Sequence, residues 1–131
     1  MNDMSRETLG RPLTQAERGV LKKLLSVEFP GAEALREQIE IATVARAWGP
    51  ESVSIDLCVP GDQNPASVPD GVLPLDAPIA DASGEYLGEL LVWVSGGLLS
   101  ALEYAWVSDM PPRELPTPNN FSVSYKNQPG W

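Results

Sequence analysis

A chain of 131 residues with 43% hydrophobic content and one cysteine can bury a single core, and it has no second thiol for an internal disulfide. Nine basic against eighteen acidic residues leave a net charge of −9, which argues against nucleic-acid and membrane-surface binding and favours basic partners. With no histidine, the commonest general base and the commonest transition-metal ligand are both missing, so no metal and no cofactor is expected.

The first elements in chain order are helical. Thr14-Gln15-Ala16-Glu17 has the capping-box pattern, in which each side chain serves the other residue's amide. Val20, Leu21, Leu24 and Leu25 then share one face, with Arg18, Lys22 and Lys23 outside it. Phe29-Pro30-Gly31 interrupts the pattern. Pro30 suits the first turn of a second helix, whose apolar stripe is Ala32, Leu35 and Ile39.

From residue 41 the pattern changes to β. Residues 41–48 read as a strand, and Gly49-Pro50 as a turn. Residues 52–59 alternate: Val53, Ile55, Leu57 and Val59 on a covered face, Ser52, Ser54, Asp56 and Cys58 on a wetter one. Residues 60–71 form a turn-rich loop. Pro74 and Pro78 make 72–80 an edge strand or an extended loop, because proline cannot donate to a ladder. Residues 86–106 read as a hairpin around Ser95-Gly96-Gly97. The chain then turns proline-rich, and the late alternation of Phe121, Val123 and Tyr125 leaves three placements open: a strand on the same domain, a segment swapped onto a second copy, or a tail. The expected fold is α+β, with two N-terminal helices packed on one face of a curved antiparallel sheet of four or five strands. Residues 1–109 form that domain, and 110–131 an extended C-terminal segment.

The hairpin carries the principal candidate site. A three-residue loop closed by Val94 and Leu98 sets Glu89 opposite Glu103, with Leu91, Trp93, Leu99 and Ala101 beside them on one face. Like charges facing across strands destabilise a sheet by about 0.2–1 kcal/mol. A cation, a basic side chain such as Arg46 or a retained proton would compensate. Three readings follow: a solvated face on which the acids splay apart; a partner-binding patch of Glu89, Leu91, Trp93, Leu99 and Glu103; or a carboxylate cluster in which Glu89, Glu103 and Asp56 divide acid and base roles.

Other candidates are weaker. Cys58 lacks a base to activate it. Gly96-Gly97 joins two strands rather than opening a helix, so it is no phosphate loop. Asp62, Asp70, Asp76 and Asp81 do not follow a calcium-loop order. Trp48, Trp93 and Trp106 either line a ligand pocket or pack in the core or sheet, with packing expected, and Trp131 is a docked anchor or the end of a tail.

The stretches 25–36 and 97–106, with Pro111-Pro112-Arg113-Glu114-Leu115-Pro116 beyond them, resemble a group of short, acidic bacterial proteins without an established activity. The resemblance spans roughly residues 12–118 and implies a compact cytoplasmic domain, but no function. The leading expectation is a non-enzymatic module that binds a basic protein, in its most concrete form an immunity- or antitoxin-like inhibitor. The alternatives are a small carboxylate-dependent hydrolase and a subunit that self-associates through its C-terminal segment.

Overall fold

The computed structural model describes residues 10–61 and 64–127. Helix α1 (Gln15–Leu24) starts at the capping box read from the sequence. The Glu17 amide donates to Thr14 Oγ1 at 3.0 Å, and the Thr14 amide donates to Glu17 Oε1 at 2.9 Å. Strand β1 (Arg11–Pro12) adds a second partner: the two terminal guanidinium nitrogens of Arg11 reach the Glu17 oxygens at 2.9 and 2.8 Å. Burial by itself would raise the Glu17 carboxyl. The hydrogen bonds from Arg11 and Thr14 outweigh it and hold the carboxyl below its ordinary value, while Glu17 holds the guanidinium above its own.

Helix α2 (Ala32–Gln38) begins two residues later than expected. Gly31 is its N-cap at φ +91°, so Pro30 lies outside the first turn. The apolar stripe of Ala32, Leu35 and Ile39 is buried as its spacing required.

The principal sheet has seven strands rather than four or five. They are β1, β2 (Thr43–Ala47), β3 (Ile55–Cys58), β4 (Gly71–Val72), β6 (Pro78–Ala80), β7 (Tyr86–Ser95) and β8 (Leu98–Trp106). The order is β1-β2-β3-β8-β7-β4, with β6 also against β7, and every pairing is antiparallel. The surplus strands are two or three residues long, too short to alternate visibly. Pro74 and Pro78 divide the 72–80 stretch into pieces, and the middle one, β5 (Leu75–Asp76), leaves this sheet to pair with β9 (Ser124–Tyr125).

One buried cluster joins Val20, Leu21 and Leu24 of α1 and Leu35 of α2 to the inner side of the sheet, at Val44, Ile55, Leu90, Val92 and Leu102. The C-terminal segment contributes to it as well. Phe121 is buried, Tyr125 stacks on Phe29 with centroids 6.0 Å apart, and the Lys126 amide donates to the Pro74 carbonyl at 2.7 Å. Within the single chain, residues 124–125 thus form a short strand against β5. Among the described residues, no helix is long and apolar enough to cross a membrane.

Candidate functional site: the open end of the hairpin

The β7–β8 hairpin turns through two residues rather than three. Gly96 and Gly97 both take positive φ, +61° and +78°, the left-handed values of a tight hairpin turn. Ser95 therefore pairs with Leu98 and Val94 with Leu99. A bulge at Ser100 then moves the register, so Trp93 pairs with Ala101, Leu91 with Glu103, and Glu89 with Ala105. Glu89 and Glu103 do not oppose each other, contrary to the alternation-based register. Both remain on the outer face, as diagonal rather than directly opposed neighbours. The extra residue also reverses the facing of Leu98 and Leu99, and Leu99 is buried, 2% exposed, inside the core.

A residue whose role the sequence did not disclose fixes the tip. Gln38, at the end of α2 and 2% exposed, donates from Nε2 to the Gly97 carbonyl at 2.9 Å and accepts the Leu99 amide on Oε1 at 2.9 Å. The Ala66 amide also donates to the Gly97 carbonyl, and the Gly96 amide donates to Asp70 Oδ1 at 2.8 Å. A Cβ on Gly97 would lie 2.3 Å from the Ala66 carbonyl oxygen.

The outer face is ordered by one cross-strand row. Arg46, Asp56, Ala101, Trp93 and Val72 pair in sequence across β2, β3, β8, β7 and β4. Asp56 uses both oxygens: one takes Arg46 Nε at 2.8 Å and the other takes Trp48 Nε1 at 2.9 Å. Arg46 thus serves Asp56 rather than a glutamate pair. Trp93 Nε1 donates to Glu103 Oε1 at 2.9 Å, and Leu91, Trp93, Glu89 and Glu103 are each half-buried. Of the three acids of the hydrolase reading, Asp56 accepts from Arg46 and Trp48 and Glu103 accepts from Trp93, while Glu89 stands opposite Ala105 in the register. No group of three or more His, Cys, Asp or Glu side chains able to hold a metal exists among the described residues. Cys58 is a free, half-buried thiol. Asp70 caps the hairpin turn and Asp81 closes its own turn through Ser83 and Glu85, while Asp62 and Trp131 lie outside the described residues.

An open, largely apolar surface lies at the other end of the hairpin. A groove of about 590 Å³ runs between the 48–54 turn, the end of β8 and residues 110–113. Trp48 and Trp106 line it at 46% and 45% exposure, and Met110 at 66%. Glu51 and Glu103 supply its acids and Arg113 its cation. The buried Tyr104, whose phenol is raised by burial, forms part of the wall. The tryptophans were visible in the sequence. The groove they line opens where β3 begins only at Ile55, which the unbroken alternation of 52–59 concealed.

No family model matches the chain, and no curated protein or solved structure does either.

Proposed function

We propose that this protein is a non-enzymatic interaction module for a basic protein partner, most concretely an immunity- or antitoxin-like inhibitor. The observation that carries the reading is the groove of Trp48, Trp106 and Met110 on a chain of net charge −9. Exposed aromatic and methionine surface beside acids is the composition of a contact site for cationic chains. Leu91, Trp93, Glu103 and Glu89 extend the surface along the outer face; Leu99, inside the core, does not belong to it. Charge complementarity of this kind accelerates encounter and weakens with salt.

The test is affinity capture from the native host with the intact chain and with a Trp48→Ala/Trp106→Ala variant. The expected result is a basic partner whose association rate falls roughly tenfold between low and physiological salt and which the variant fails to hold. A partner held equally by both chains, or held without salt dependence, overturns the reading.

A further inference from the structure

The groove also contains a vacant strand position. Along an antiparallel strand, the backbone groups of successive residues point alternately to its two neighbours. The Val107 amide donates to the Leu87 carbonyl, so odd-numbered residues near the end of β8 face β7. The Tyr104 amide donates to Ser54 Oγ at 2.9 Å, which places the even-numbered residues on the β3 side. On that side β3 pairs only through Ile55 with Leu102 and Asp56 with Ala101. Upstream of Ile55 the chain bends away: the Trp48 amide donates to the Ser54 carbonyl, the Ser52 amide to the Gly49 carbonyl, and Glu51 takes φ +61°. The Tyr104 carbonyl and the Trp106 amide and carbonyl consequently have no hydrogen-bond partner among the described residues, and they face the groove.

The geometry points to capture of an extended, Arg- or Lys-bearing segment of the partner, which continues the sheet where β3 stops by bonding to Tyr104 and Trp106. This rests on the partner-binding reading above and specifies how that site is used. Strand addition supplies main-chain bonds, and side chains on alternate faces supply selectivity. The Trp48 indole is fixed by its N–H bond to Asp56, which leaves its ring available to a cation alongside Trp106. Glu51 and Glu103 outnumber Arg113 among the charged residues of the lining, and the chain as a whole is strongly acidic. A cationic segment is therefore favoured over a neutral or acidic one.

The experiment uses the ¹⁵N-labelled intact chain and four peptides of about eight residues: alternating Arg/Val, the same peptide N-methylated on alternate amides, alternating Glu/Val, and alternating Arg/Pro. The Arg/Val peptide is expected to shift the Trp106 amide and slow its hydrogen exchange. Affinity should drop about tenfold on N-methylation and about tenfold again in Trp48→Ala, with the Glu/Val peptide inert. Equal binding of the Arg/Pro peptide, or shifts confined to Leu91 and Trp93, would overturn strand addition. So would the absence of any effect at Trp106. If a basic host partner is captured in a Trp48- and Trp106-dependent, salt-sensitive manner while no peptide protects the Trp106 amide, the strand proposal fails and the module reading survives. If no such partner exists, that reading fails whatever the peptides do.

Discussion

The two ends of the β7–β8 hairpin differ in how their backbone is satisfied. At the tip, Gln38, Ala66 and Asp70 reach in from three other parts of the chain, engaging the Gly96 and Leu99 amides and the Gly97 carbonyl. At the far end β3 turns aside, and the Tyr104 carbonyl and both backbone groups of Trp106 are left facing a groove lined by exposed tryptophans. A buried polar group without a partner costs about 1–3 kcal/mol, whereas one at an open groove is solvated and remains available. The tip is thereby committed to folding, while the backbone at the open end remains exposed to solvent.

Substitutions at the tip should have the largest effects on stability. Gln38→Leu strands the buried Leu99 amide and removes one of the bonds to Gly97, so chemical denaturation should show a loss of about 3 kcal/mol. Gly97→Ala should cost about 2 kcal/mol, because its φ of +78° is unfavourable for alanine and its Cβ meets the Ala66 carbonyl. A loss under about 0.5 kcal/mol in both variants would mean that the tip is not clamped.

Glu17 gives a smaller effect, remote from both ends of the hairpin. Its folded carboxyl sits below the ordinary value, so its contribution is complete above that value, near pH 4.5, and is lost as pH falls through the depressed one. Glu17→Gln should cost about 1–2 kcal/mol at neutral pH, and its stability should fall less steeply than that of the unaltered chain below about pH 4.5. Parallel acid-denaturation curves would remove the Arg11–Glu17 pair from the account.

At the open end the order reverses. Trp106→Ala should change stability by no more than about 1 kcal/mol, since the ring is nearly half exposed, yet weaken the Arg/Val peptide about tenfold. A large stability loss together with unchanged binding would make Trp106 a packing residue.

What could be read from the sequence followed the range of the interactions. The Thr14–Glu17 box and the α1 and α2 stripes are decided within a few residues and formed close to where their patterns lay, whereas the 52–59 alternation became a strand only over Ile55–Cys58, with Ser54 buried rather than on the wetter face. The hairpin was legible as a hairpin, but its register was not. The bulge at Ser100 carries no signature in a run of Leu, Ser and Ala, yet it separates Glu89 from Glu103 and buries Leu99. The role of Gln38 depends on contacts some sixty positions away in sequence, with Gly97 and Leu99, and no local pattern reports them. Trp48 and Trp106 had the composition of core residues. In the structure both are nearly half exposed beside the 48–54 turn.

Amide hydrogen exchange at two backbone positions, Leu99 and Trp106, tests the central claim most directly. In the free protein the Leu99 amide should exchange near the rate of global unfolding and the Trp106 amide far faster, and the Arg/Val peptide should slow Trp106 alone. Protection of Trp106 in the free protein, or exchange there that the peptide leaves unchanged, would contradict it.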